Sequence, residues 1–397
     1  MKVNRASLRE DLLVEYKNIL QYWMDRTIDR EDGGFLGEVD HLGHIIKQAP
    51  KVVVINTRIL WTFSSAYNFL KDERYLEIAH RAYEYLIKYF WDKEFGGVFW
   101  SLTHDGQILE SRKQVYAQGF AIYGLSEYYR ATKKQEALDF SIELFRLIEK
   151  YSFDEKHNGY LEAFTREWKP LEDMRLSAKD ANSPKTMNTH LHIIEPYSNL
   201  YRVWSDELLA KKMKNLVELF LDKIIHPKRG HLHLFFDTDW TVQSNIVSYG
   251  HDIEGAWLLC EAAELLADEE LLKRVEAAAI LIADVTIKEG VASDHSVLYE
   301  KDLTSNELDA DRHWWVQAEA MVGFTQAWQI SGDEDYIVKM DATWKYIQQN
   351  VIDQEYGEWH LRISPEGSPI ASDGKAGFWK CPYHNTRALM EVYSRIK

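Results

Sequence analysis

Apolar positions recur along this chain at helical spacing in twelve segments, and short stretches that alternate apolar and polar residues separate them in pairs. The helical segments cover residues 7–26, 57–70, 75–89, 115–132, 136–150, 187–204, 207–225, 250–267, 269–287, 314–331, 334–350 and 382–396. In the eighth, Ile253, Trp257, Leu258 and Leu265 mark one stripe that faces a core. Each alternating stretch opens on glycine: Gly33-Gly34-Phe35, Gly96-Gly97-Val98, Gly159-Tyr160, Gly230-His231, Gly290-Val291 and Gly357-Glu358. The interval is about 60–70 residues, long for the usual solenoid periods. His104-Asp105-Gly106, Asp237-Thr238-Asp239 and Pro365-Glu366-Gly367 supply turn chemistry, so these stretches read as hairpins.

Six helix pairs close most simply as a ring of inner helices inside a ring of outer ones, with the hairpins gathered at one end. Every second helix is then inner and points its N-terminus at the hairpins. The inner first turns carry Arg58, Tyr116, Asn188 with His192, His251 with Glu254, Trp315 with Glu319, and His384. Converging on one funnel, they deliver a polar and aromatic cluster to a single site. His251 and Glu254 lie three apart on one helical face. A helix N-terminus disfavours an imidazolium, so His251 is biased toward the neutral base, with Glu254 placed to fix its tautomer.

Composition narrows the function. Of 397 residues, 46% are hydrophobic and 28% charged, as in a soluble globular protein. Aromatics reach 13%, with 14 Trp and 22 Tyr, which suits either stacking on sugar faces or a Trp-rich helical core. A net charge of −16 argues against a nucleic-acid partner. The two cysteines, Cys260 and Cys381, form no metal-binding or disulfide pattern. The N-terminus lacks an apolar signal core and no run is long enough for a membrane span, so the expected compartment is the cytoplasm. His190-Leu191-His192 and His231-Leu232-His233 offer paired histidines to a metal if those segments are strands. Helical periodicity and the lack of a partner ligand at suitable spacing favour a reading without metal.

Six motifs, one per inner helix, carry a resemblance over nearly the whole chain. They are Asn56-Thr57-Arg58, Val115-Tyr116-Ala117-Gln118, Met187-Asn188-Thr189-His190-Leu191-His192, Gly250-His251-Asp252-Ile253-Glu254, Arg312-His313-Trp314-Trp315-Val316-Gln317-Ala318-Glu319 and Trp379-Lys380-Cys381-Pro382-Tyr383-His384-Asn385. In this order the chain resembles the N-acylglucosamine 2-epimerase superfamily, and within it the cellobiose 2-epimerases. The resemblance implies one (α/α)6-barrel catalytic domain over residues 1–397, with neither metal nor cofactor. It implies an acid/base pair at His251 and His384. Pocket roles fall to Arg58, Tyr116, Asn188, His192, Glu254, Glu319 and Trp379, and to Trp314 or Trp315. The implied reaction is inversion of C2 in the reducing-end glucose of a β-1,4-linked disaccharide, through ring opening and a cis-enediolate. The implied partner is a small oligosaccharide, the chain being a monomer or weak homodimer. Other readings on the same barrel are an N-acylglucosamine or mannose 2-epimerase, an aldose–ketose isomerase, a glycoside hydrolase or lyase, and a non-catalytic sugar-binding protein. A hydrolase needs two carboxylates across the bond, whereas the prominent pairing here is His with His.

Overall fold

Burial separates the helices into two classes. The computed structural model describes residues 3–397, with α1 (Arg5–Arg26), α2 (Val53–Leu70), α3 (Glu73–Tyr85), α4 (Val115–Thr132), α5 (Gln135–Tyr151), α6 (Met187–Tyr201), α7 (Glu207–Leu219), α8 (Tyr249–Leu266), α9 (Glu269–Val285), α10 (Trp314–Ser331), α11 (Glu334–Tyr346) and α12 (Tyr383–Arg395). Outer helices bury one stripe, as α5 does with Ala137, Leu138, Ser141, Leu144, Phe145 and Ile148. Inner helices are buried on all sides. In α8 this includes His251's neighbours Gly250, Asp252 and Glu254, so the expected single stripe is too narrow. The even-numbered helices pack in sequence and α12 returns to α2, which closes the ring. Outside it α3, α5, α7, α9 and α11 each pack on the inner helix before them, and α1 packs on α12. The molecule is an (α/α)6 barrel. No helix among the described residues is long and apolar enough to cross a membrane.

Local chemistry sets the inner-to-outer turns. Lys71, Lys133, Ala267 and Gly332 take left-handed conformations after α2, α4, α8 and α10. Asp72, Asp268 and Asp333 follow directly and cap the next helix through their carboxylates. At the other end, α3, α7, α9 and α11 each finish in a five-residue π-helical turn. Periodicity reads these turns as ordinary helix, because one extra residue does not change which positions are apolar.

The hairpin end is stitched between repeats, beyond what local turn signals predict. β1 (Lys51–Val52) pairs with β2 (Ser101–Leu102), β4 (Lys113–Gln114) with β5 (Ala163–Phe164), and β6 (Lys185–Thr186) with β7 (Phe235–Phe236). β8 (Ile246–Ser248) pairs with β9 (Glu300–Asp302), and β11 (Arg312–His313) with β12 (Arg362–Ile363). β3 (Ile108–Glu110) and β10 (Leu308–Asp309) add to β2 and β9, and a Val39–Ala376 bridge closes the circle. Buried pins within single repeats tie the segment before an inner helix to its own glycine turn: Lys51–Asp29, Lys113–Asp92, Lys185–Asp154 and Lys375–Asp353, all within 2.9 Å. Each of these aspartates also accepts backbone N–H groups in the glycine turn behind it.

A polar residue in the first turn of an inner helix holds the glycine turn. Gln118 accepts from Val98 N–H and donates to Val98 C=O, and Gln317 does the same at Val297. His190 Nε2 accepts from Tyr160 N–H while its Nδ1 donates to Thr186 C=O. Asp252 accepts from Leu232 N–H. The glycines follow from this contact. Gly97 and Gly159 have φ of 76° and 83°, and a Cβ there would stand 2.7 Å from Gln118 Oε1 and 2.8 Å from His190 Nε2. Where the glycine is replaced, the holding residue takes the new side chain: Asp252 pairs with His231, and Asn385 donates to Glu358. Gly290 departs from the expected pattern. It ends a π-helical turn, and His295, at φ 68°, makes the fifth repeat's turn.

These bonds test the holding role. His190→Ala is expected to destabilise the protein by about 1–3 kcal/mol in denaturant unfolding, the cost of stranding a buried N–H. His190→Gln, which copies Gln118 and Gln317, is expected to recover most of that loss. Equal stability of the two variants would contradict the role.

Candidate active site

The holding residues fix the rotational phase of every inner helix. They are Gln118, His190, Asp252, Gln317 and Asn385, with Asn56 at the same place on α2 donating instead to Ala82 C=O of α3. Two residues on, about 200° round the helix, stand Arg58, Phe120, His192, Glu254, Glu319 and Arg387, all buried. Two residues back, on nearly the same side and one turn nearer the hairpins, stand Val54, Tyr116, Asn188, Gly250, Trp315 and Tyr383. The site therefore has two tiers. Arg58, His192, Glu254 and Glu319, expected in first turns, lie one turn deeper. For Arg58 the cause is that α2 begins at Val53 and not at Thr57.

The deep tier is a charge network around Arg387. Its guanidinium contacts Glu195, lies 2.8 Å from Glu254 Oε1 and 2.6 Å from Glu319 Oε1, and stacks against Tyr383 and Trp257. One guanidinium cannot balance three buried carboxylates, and their titrations split accordingly. Burial opposes ionisation of Glu195, but Arg387 and His192 outweigh it and hold the acid down to about 2. Burial likewise opposes ionisation of Glu319, and Arg387 and His384 outweigh it. Glu254 is pushed well up by burial and by the charge of Glu319, so it stands as the neutral acid. Its Oε2 has no hydrogen-bond partner among the described residues. Glu254, Glu319 and His384 form a cluster of metal-ligand type among the described residues. Arg387 already supplies its cation.

Three histidines border this network. His192 Nδ1 lies 2.9 Å from Glu195, and its ring packs against Tyr116 and Phe120. His384 Nδ1 lies 2.7 Å from Glu319 Oε1. His251 Nδ1 lies 2.9 Å from Ser248 Oγ. His251 and His384 each immediately precede a holding residue, so they occupy equivalent positions on α8 and α12. α10 runs between those helices and places Trp315 between the rings, at centroid distances of 4.7 and 5.7 Å. Burial pulls both histidines down to about 3, so both are bases at neutral pH. Neither Nε2 has a protein partner among the described residues, which leaves one free nitrogen on each side of Trp315. Gly250 makes this possible, since a Cβ there would stand 2.6 Å from the Trp315 ring.

The remaining expected residues divide. Arg58 donates to Tyr116 Oη at 2.7 Å between the rings of Phe120 and Tyr383. Asn188 Oδ1 lacks a partner among the described residues. Trp379, half-buried, meets Tyr116 edge-on. Trp314 carries Lys380 over its ring and meets only His384, edge-on at 6.1 Å, whereas Trp315 lies against both histidines. Glu254 does not bond His251, because Arg387 holds it at the deeper tier. His190 has both nitrogens spent on backbone, and His231 sits on Asp252 and Glu289. The metal alternative for these histidines thus fails on geometry. Arg387 lies outside the motifs, and Tyr383 lies inside one without an assigned role. Their signal is the holding-residue register: Arg387 follows Asn385 by the spacing that separates Glu254 from Asp252 and Glu319 from Gln317.

The chain is similar to known proteins over nearly its whole length. The family model N-acylglucosamine 2-epimerase (GlcNAc 2-epimerase) matches residues 34–388. A cellobiose 2-epimerase of Bacteroides fragilis is 50% identical over 374 residues, 94% of this chain and 95% of that protein. One of Ruminococcus albus is 38% identical over 98% of each. The solved cellobiose 2-epimerase of Bacillus thermoamylovorans superposes with a TM-score of 0.93 at 39% identity, covering 98% of this chain and all of that one.

Arg387→Leu strands Glu195 and Glu319 without their counter-charge. It is expected to lower the unfolding free energy at pH 7 by about 3–5 kcal/mol. The wild-type contribution of Glu195 is complete above its ordinary value near 4.5 and disappears as pH falls through about 2. In the variant the carboxylates take up protons at higher pH, so the stability gap narrows on acidification. A gap under about 1 kcal/mol at pH 7 would contradict the network.

Proposed function

The chain belongs to the N-acylglucosamine 2-epimerase family, and on that premise we propose that it inverts C2 of the reducing-end glucose in β-1,4-linked disaccharides such as cellobiose and lactose. The observation that carries the reading is the pair His251 and His384 flanking Trp315 with both Nε2 atoms free. The two relatives named cellobiose 2-epimerase support the disaccharide over a monosaccharide.

The chemistry follows from the acidity of C2. That C–H bond becomes acidic only beside an aldehyde, so the pyranose ring opens first. His192 and Asn188 hold O1 for this step, with His192 kept in one orientation by Glu195. One imidazole then takes the C2 proton, the C2–H electron pair forms the C1–C2 double bond, and negative charge moves onto O1. Arg58 and the neutral Glu254 stabilise that oxygen in a water-poor site. Burial keeps both histidines neutral in the empty site, so the other one takes up a proton from solvent once the sugar is bound and returns it to the opposite face of C2. Glu319 favours His384 as the proton holder, since His251 has only a hydroxyl at Nδ1. Trp315 and Trp379 offer flat faces to the sugar rings. A proton delivered to C1 would give a ketose, so isomerisation is an available side reaction. A hydrolytic reading fits poorly, because Glu254 and Glu319 both lean on Arg387 and do not stand across a bond. One barrel over residues 1–397 houses the whole reaction.

The test is cellobiose in heavy water, followed by NMR. The expected product is the glucosyl-mannose epimer with solvent deuterium at C2. Free glucose would indicate hydrolysis, and an unlabelled epimer a hydride shift. His251→Asn and His384→Asn are each expected to lower kcat by about two to four orders of magnitude, the range for a lost general acid or base. Exhaustive chelation is expected to leave the rate unchanged, since Arg387 fills the acidic cluster. Loss of activity restored by a divalent ion would contradict that assignment.

A further inference from the structure

Ser248 precedes α8 and stands where a serine normally caps the helix, yet its side chain caps no backbone N–H. The fully buried hydroxyl turns to His251 Nδ1, 2.9 Å away. On the strand β9 that pairs with β8, Glu300 is the residue directly opposite Ser248. Directly opposite residues of an antiparallel pair share one side of the ladder, so its half-buried carboxyl is the cross-strand neighbour of the Ser248 hydroxyl. The groups that face it are Ser248 from β8, Asp309 from β10, Asp180 from the segment before β6, the adjacent Tyr299, and His313 of β11, which stacks on Tyr299 and is kept neutral by burial. None of these is a cation. His384, at the equivalent place on α12, instead meets a carboxylate directly, and Arg387 compensates that carboxylate.

We propose that Glu300, acting through the Ser248 hydroxyl, is a positioning residue that fixes which ring nitrogen of His251 carries its proton. Ionised Glu300 accepts the Ser248 O–H. The serine oxygen is then left as an acceptor, and His251 donates to it from Nδ1. The lone pair of Nε2 faces the substrate, as a base requires. When Glu300 is protonated it no longer orients the hydroxyl, and Ser248 is free to donate to Nδ1. That places the ring proton on Nε2 and removes the base. Burial, with the charges of Asp309 and Asp180, pushes Glu300 up to about 7. The relay therefore engages above neutral pH and releases below it.

The consequence for catalysis rests on His251 acting in proton transfer, but the tautomer is measured without any turnover. In enzyme labelled with 15N-histidine, His251 is expected to be the Nδ1–H tautomer at pH 8. In Glu300→Leu and in Ser248→Ala it is expected to shift toward Nε2–H. An Nε2–H tautomer in the wild type, or an Nδ1–H tautomer that survives either substitution, would overturn the proposal whether or not the protein is an epimerase. In turnover, each variant is expected to lose about tenfold to a hundredfold in kcat, the scale seen for groups that orient a catalytic ligand, with KM within about twofold. The acidic limb of the wild-type kcat profile is expected near pH 7 and is expected to be absent from Glu300→Leu. An unchanged limb would overturn the role of Glu300.

Discussion

The site depends on one repeated contact, the hydrogen bond from the first turn of an inner helix to the glycine turn beside it. A helix in a closed ring is free to rotate about its own axis, and a few tens of degrees would carry its functional residues off the funnel. Gln118, His190, Asp252 and Gln317 remove that freedom by reading a buried backbone N–H. Such a group is costly to leave unpaired, so the phase of each helix is strongly specified. Everything that faces the axis then follows by helical geometry, two residues ahead and two behind.

The second constraint is electrostatic. The funnel floor gathers Glu195, Glu254 and Glu319 out of water, with Arg387 as their shared cation. The shortage of positive charge divides them into ionised and neutral acids. Ionised Glu195 and Glu319 orient His192 and His384 through Nδ1. Neutral Glu254 is left to donate. A uniform set of charges would provide neither difference. The same logic separates the two flanking histidines, one anchored on a carboxylate and the other on a hydroxyl. A reaction that needs a base on one face and an acid on the other is served by that asymmetry.

Much of this was legible in the sequence. Twelve periodic segments and six glycine-led stretches are strong signals, and they specify the ring before any contact is known. The His251 and His384 pairing came from motif resemblance, and the structure explains it through equivalent positions on α8 and α12. What stayed hidden needed tertiary context. The π-helical turns after α3, α7, α9 and α11 leave the apolar pattern intact. The depth of Arg58 and Glu254 depends on a helix start, the least secure feature of any periodic pattern. The shared helical face pairs Glu254 with His251 in the sequence, yet Arg387 arrives from another helix and outcompetes the histidine. Arg387 carries no motif of its own, and only alignment of the holding residues exposes it.

The account stands most directly on the separation of two proton-transfer faces at C2. The measurement is solvent deuterium exchange at C2, without inversion, in His251→Asn and His384→Asn, run from both epimers. One variant is expected to wash the C2 proton out of the glucose epimer and the other out of the mannose epimer, each failing to invert. A variant of either histidine that epimerises near the wild-type rate would contradict the account and leave that residue outside the proton transfer.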